Sequence, residues 1–181
     1  MNENNLEKLV EIIESKSALI FDFDGVLAHS VDIKTQAFAK IYEPFGQEVV
    51  NRVIDFHTIG NGGLSRIKKF KYFHLNYLNI EISPQDLDET CNAFSGLVKK
   101  LVINCPKVQG STNFLKKYSQ SNKLFFINTA TPTGEMLEII NARKLNNFFK
   151  AVYGSPNSKL ENFNDIFYRY NIKPKDIIFF G

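Results

Sequence analysis

The stretch Ala18–Phe23, ALIFDF, is apolar except at Asp22, and Asp24 and Gly25 follow it at once. So short and so apolar a run suits a strand buried on both faces, the condition of strands in a parallel sheet. Three later stretches share its character: 123–128 (KLFFIN), 150–154 (KAVYG) and 176–181 (DIIFFG). Helical patterns lie between them, over 132–144, with Pro132 suited to a first turn, and over 158–170. A further short amphipathic helix is expected near residues 5–15, where Leu6, Leu9, Val10 and Ile13 share one face. Alternating strands and helices predict an α/β fold with a Rossmann-like, mostly parallel sheet.

The stretch from about 31 to 105 breaks this alternation and reads as consecutive helices. Ile33, Ala37, Phe38 and Ile41 share one face; Val49, Val50, Val53 and Ile54 another. A third helix carries Ile67, Phe70, His74, Tyr77 and Leu78. A fourth carries Leu87, Cys91, Phe94, Val98 and Leu101, opened by Ser83 as cap and Pro84 in the first turn. The expected organisation is therefore a core of 1–30 and 106–181 with an α-helical insert over 31–105. The crossings near His29–Val31 and Cys105–Pro106 are short.

Composition narrows the function classes. With 181 residues, 44% of them hydrophobic, the chain can bury a substantial core as one domain carrying an insert. Its net charge of +3 comes from Lys and Arg spread along the chain, not from a basic stripe, so no nucleic-acid partner is expected. Cys91 and Cys105 form no Cys-x-x-Cys pair and have no histidine at finger spacing, so they read as reduced thiols. The acidic, amphipathic start is unlike a signal peptide, and no apolar run approaches a membrane span. A soluble, cytoplasmic protein without a membrane partner is expected; nothing in the pattern sets an oligomeric state.

In open parallel sheets, ligands bind outside the carboxyl ends of the strands. Asp22 and Asp24 end the first strand, and Thr129 and Thr131 end the second, in NTATP. Lys159 follows the third, in GSPNSK. Each alone has a plain structural alternative: an Asp in the turn at Gly25, Thr129 as a helix cap, Lys159 as a surface lysine. Their order on successive strand ends favours a shared site.

DFDGVL, residues 22–27, resembles the first signature of the haloacid dehalogenase superfamily of phosphotransferases. Thr129 and Lys159 resemble its second and third signatures, and the helical block stands where that family inserts a helical cap. The resemblance covers nearly the whole chain. It implies Asp22 as a nucleophile that becomes an aspartyl-phosphate, and Asp24 as general acid, then base. It also implies a Mg²⁺ ion held by Asp22 and Asp24, which would let a carboxylate approach a phosphate. Thr129 and nearby backbone N–H groups would hold phosphoryl oxygens, Ala130 counting among the substrate-binding residues, and Lys159 would neutralise charge. GNGGLSRIKKF, residues 60–70, looks like the substrate-specificity loop of members similar to β-phosphoglucomutase. There Arg66 would reach a substrate phosphate or sugar, with Ser65 or Lys69 assisting; alternatively Arg66, Lys68 and Lys69 form a solvated helix face. His57, just before the loop, is either a substrate contact or a structural histidine.

Two departures stand out. His29 occupies a position where many relatives carry an acid, and reads as hinge chemistry. The chain also ends at Gly181, where the family's fourth signature would supply another acid for Mg²⁺. A truncated sequence is the expectation, with weak Mg²⁺ binding and low activity as it stands. Three functions follow: a phosphatase for a small phosphorylated metabolite, a sugar phosphate first; a phosphomutase using the same acids; or an inactive remnant. A response-regulator receiver is excluded, because a helical block separates Asp22 from Thr129 and receivers carry their acid pair on a different strand from the nucleophile.

Overall fold

The computed structural model describes residues 3–181. Met1, Asn2 and the side chains of Glu3, Asn4 and Leu6, all part of the amphipathic start, lie outside the described residues. Four parallel strands, β1 (Ala18–Phe21), β2 (Leu124–Pro132), β3 (Ala151–Ser155) and β4 (Ile177–Phe180), form one sheet in the order β3-β2-β1-β4. Ala18 pairs with Leu124 on one side and Ile177 on the other, so β1 is central. Its run is wholly apolar because both its faces are covered. Leu19 and Phe21 pack in the larger cluster with Phe125 and Ile127; Ala18 and Ile20 face Phe126, Ile166 and Ile172.

Among the described residues there are eight α-helices: α1 (Glu3–Glu14), α2 (Val31–Tyr42), α3 (Gln47–Thr58), α4 (Arg66–Leu78), α5 (Pro84–Asn104), α6 (Ser111–Tyr118), α7 (Thr133–Ala142) and α8 (Lys159–Tyr170). The helices α2 to α5 are the inserted block. They meet over an aromatic cluster in which Phe38 lies tilted against Phe94 with ring centroids 4.3 Å apart and also touches Phe70 and Phe73. Ser83 caps α5 by accepting from the Asp86 N–H at 3.1 Å. Both crossings are pinned together, since the His29 N–H donates to the Pro106 carbonyl at 2.9 Å.

Four local expectations are corrected. The first strand stops at Phe21, so Asp22 and Asp24 stand just beyond it in the turn that Gly25 closes. β2 runs on to Pro132 with an irregularity after Asn128, and α7 begins at Thr133, leaving Pro132 before the first turn instead of within it. The helix α6 has no counterpart in the periodicity reading, being only eight residues long. Thr129 does not cap α7: its hydroxyl accepts from the Thr131 N–H at 3.3 Å. Among the described residues no helix is long and apolar enough to cross a membrane, and Cys91 and Cys105 are free thiols.

Candidate active site

The site lies at the carboxyl end of the sheet, beneath the inserted helices. The backbone leaves β1 with the Asp22 N–H donating to the Phe180 carbonyl at 2.8 Å. Phe23 is fully buried, and Asp22 and Asp24 on either side of it both line one cavity of about 170 Å³. Gly25 makes this possible. Its φ of +77° is costly for any side chain, and its N–H closes a tight loop onto the Ala28 carbonyl at 2.8 Å.

Each acid has its own lysine. Asp22 accepts from the Phe23 N–H through Oδ1 at 2.7 Å and from Lys159 Nζ through Oδ2 at 2.5 Å. Asp24 accepts from the Ser30 hydroxyl at 2.6 Å and is ion-paired with Lys34. Burial pushes the Asp24 carboxyl up, but Lys34, aided by the Ser30 hydroxyl, outweighs this and holds it below the usual carboxylate value. Lys34 also donates to Thr131 Oγ1 at 2.7 Å, so this residue of α2 joins the ends of β1 and β2.

Lys159 is placed by the start of α8. Ser158 and Glu161 form a capping box: the Ser158 hydroxyl accepts from the Glu161 N–H at 3.3 Å, and Glu161 accepts from the Ser158 N–H at 2.6 Å. Asn128 donates to the Lys159 carbonyl at 2.9 Å and accepts from Asn162 at 3.1 Å, a buried amide link between β2 and α8. Gly154 lets β3 approach the irregular end of β2, since a Cβ there would stand 2.2 Å from the Thr131 carbonyl oxygen. Replacing Ser158 with Ala should lower stability by about 1 kcal/mol, read as a shift in the urea midpoint. An unchanged midpoint would mean that the box adds nothing to α8.

The remaining expected residues separate. Thr129 and Ala130 line a second cleft with Ser65, Ser158 and Lys159, while Ala130 and Thr131 border the main cavity. Ser65 caps α4, accepting from the Lys68 N–H. Arg66 borders the cavity, but its guanidinium is spoken for: it donates to both oxygens of Glu135 on α7, at 2.9 and 2.6 Å, bonds Ser95, and lies 4.7 Å from the Phe94 ring. Lys69 and His57 also border it and bond each other, Lys69 Nζ donating to His57 Nδ1 at 2.7 Å. Burial, then the neighbouring lysine, pushes the His57 pKa down to about 4, so its ring is neutral and accepts. Sequence reasoning missed Ser30, Lys34, Ser95, Asn128 and Glu135. Only Lys34 leaves a trace: a lysine ten residues after Asp24, in the first turn of a helix whose buried residues are Ala37, Phe38 and Tyr42.

Asp22 and Asp24 offer hard oxygen donors, and among the described residues no third Asp, Glu, His or Cys joins them in a metal-holding group. Two carboxylates suit Mg²⁺ in the mode where substrate phosphate and water complete the shell. All four of their oxygens have hydrogen-bond donors, so a cation here would compete with Lys34 or Lys159.

A family described as haloacid dehalogenase-like hydrolase matches residues 19–181. No curated protein matches the chain. Among solved structures, a β-phosphoglucomutase from Clostridium difficile superposes with a TM-score of 0.73 at 18% identity, over 91% of this chain and 75% of that one. A haloacid dehalogenase-like hydrolase from Streptococcus pneumoniae gives 0.64 at 18% identity, over 93% and 76%. A predicted phosphoglycolate phosphatase from Haemophilus somnus gives 0.67 at 15% identity, over 91% and 76%. With the sheet, its helical insert and the acid pair at the end of β1 all in place, the chain belongs to the haloacid dehalogenase-like hydrolase family.

Proposed function

We propose that the protein is a Mg²⁺-dependent phosphatase for a small phosphorylated metabolite, a sugar phosphate first, with α2 to α5 serving as its cap. One observation carries this reading: two carboxylates, each paired with a lysine, border one cavity at the end of the central strand. In the first step Asp22 attacks phosphorus, the bond to the leaving oxygen breaks, and Asp24 gives that oxygen its proton. In the second, Asp24 takes a proton from water, which attacks the aspartyl-phosphate, freeing inorganic phosphate and regenerating Asp22. Lys159 holds Asp22 and offsets phosphoryl charge, while Thr129, Thr131 and the Ala130 backbone offer donors to its oxygens. Bound at Asp22 and Asp24, Mg²⁺ would supply charge compensation between carboxylate and phosphate. The Lys34 pairing favours ionised Asp24, the form the second step needs, so the first step draws on the minor, protonated form.

The test is phosphate release from a panel of sugar phosphates and one aryl phosphate, with Mg²⁺ and with a chelator. Turnover that needs Mg²⁺ is expected; turnover indifferent to the chelator would remove the metal from the reading. The inserted helices bordering the cavity over the acid pair also favour a second reading, a phosphomutase, because shielding the site from water would let Asp22 return its phosphoryl group to the substrate. Isomerisation of a sugar phosphate only when a bisphosphate is added would select it.

A further inference from the structure

The insert is fastened to the core along α5. Glu135 of α7 accepts from the Ser95 hydroxyl of α5 at 2.6 Å, beside its buried pair with Arg66. One helical turn on, Lys99 of α5 pairs with Glu138 of α7 at 2.7 Å, an exposed and weaker tie. Just past α7, Arg143 donates through Nη1 to the carbonyls of Val102, Ile103 and Cys105 at 2.7, 2.9 and 2.9 Å. Val102 and Ile103 lie in the last turn of α5, where carbonyls lack partners within the helix and carry partial negative charge. These ties run from Ser95 to Cys105, about 15 Å along the helix. α2 is held as well, by Lys34 to Asp24 and Thr131. Turning the insert away from the core would strand a buried ion pair and uncap α5.

Residues 59–64, between α3 and α4, are the exception. Gly62, Gly63 and Leu64 border the main cavity, and Gly63 and Leu64 also border the second cleft with Thr129 and Lys159. A Cβ on Gly63 would lie 3.8 Å from Lys159 Nζ, so the loop rests over the lysine that holds Asp22. Among the described residues no hydrogen bond or ion pair ties it to the core. The Leu64 N–H donates to the Asn61 carbonyl, the Asn61 side chain to the Ile59 carbonyl, and Lys69 to the Gly62 carbonyl, all within the insert. Three of its six residues are glycine and offer no side chain for such a tie. Segments with so few contacts open at the low end of a fold's stability range. We propose that residues 59–64 are a lid that moves while α5 stays fastened to α7. The loop lifts to join the cavity and the cleft, admits a phosphorylated ligand to Asp22, and settles back for the reaction. The ligand, though not the motion, rests on the phosphoryl-transfer reading above.

Distances between paired nitroxide labels, measured by double electron–electron resonance on the full chain carrying Cys91→Ser and Cys105→Ser, test this. Tyr168→Cys on α8, 88% exposed, is the core reference. Leu101→Cys, at an exposed position, reports α5, and Asn61→Cys, whose side chain bonds only inside the loop, reports the lid. The α5–α8 distance should be single and change by less than about 2 Å when inorganic phosphate and Mg²⁺ are added. The lid–α8 distribution should be broad without them and narrow with them. An α5–α8 distance that broadens or shifts further overturns the proposal, because the insert then swings as a body. A lid–α8 distance that is single and unmoved overturns it too, because then there is no lid. Calorimetry with inorganic phosphate on the same proteins keeps the two readings apart. Should phosphate fail to bind, the phosphoryl reading falls, and the ligand-free distributions still decide the lid: broad at the loop with α5 narrow supports it, and any other pattern overturns it.

Discussion

Replacing Asp22 with Asn should lower the rate of phosphate release by about four orders of magnitude or more, as expected when the attacking group of a covalent mechanism is lost. Asn has nearly the shape of Asp, but its amide cannot form the acyl phosphate. One of its oxygens is also replaced by an NH₂ that would face either the Phe23 N–H or the Lys159 ammonium, both of them donors. Substrate affinity should survive or improve, because the negative charge facing the incoming phosphate is gone while Lys159 remains. The two effects separate cleanly: single-turnover phosphate release reports the chemistry, and calorimetry with inorganic phosphate reports the binding. Asp24→Asn should cost less, since water or the substrate's own proton can partly replace a general acid, worth roughly two to four orders of magnitude. If Asp22→Asn kept more than about a hundredth of the activity while Asp24→Asn kept none, the roles of the two acids would have to be exchanged.

How much of this could be read from the residues depended on whether the cause was local. The central strand was legible because burial on both faces forces an unbroken apolar run, and Ala18–Phe21 is one. The inserted helices were legible because each hides one face against the aromatic cluster, which leaves a period in the sequence. Asp22, Asp24 and Lys159 could be placed together because strand order puts their ends on one rim. The partners of those residues were another matter. Lys34 meets Thr131 across 97 positions of chain, and Arg66 meets Glu135 across 69. A lysine or glutamate in a first helical turn has the same local pattern whether it points to solvent or to a buried partner. Arg66 shows the consequence: its sequence position suggests a residue that reaches for substrate, but the fold supplies a carboxylate within 2.6 Å. The irregular end of β2 escaped for a related reason. It depends on Gly154 admitting the Thr131 carbonyl, a contact between strands with no signature in either one.

That same Arg66 contact leads to the largest stability change expected away from the acids. Glu135→Ala should destabilise the protein by about 3–5 kcal/mol, the usual cost of stranding one member of a buried ion pair. Both side chains are well buried, at 4% and 8% exposure, so the abandoned guanidinium cannot recover hydration. Ser95 and the Phe94 ring would still touch it, which places the expectation toward the lower end. The Lys99–Glu138 pair offers an internal control. It also links α5 to α7, but its side chains are 41% and 62% exposed, and solvent screening leaves it little to contribute. Urea midpoints should therefore drop sharply for Glu135→Ala and barely for Glu138→Ala; comparable drops would mean that the Arg66 pair is not held closed in solution. Removing both partners, as Arg66→Met with Glu135→Leu, should recover most of the loss, because the cost lies in the unpaired charge and not in the missing attraction. The pair also has a pH signature. Burial raises the Glu135 carboxyl, but hydrogen bonds from Arg66 outweigh this, so its folded pKa lies below the ordinary 4.5. The stability it contributes is present above pH 4.5 and is lost as the pH falls through the lower, folded value. Glu135→Ala should remove that part of the acid unfolding curve, and Glu138→Ala should leave it in place.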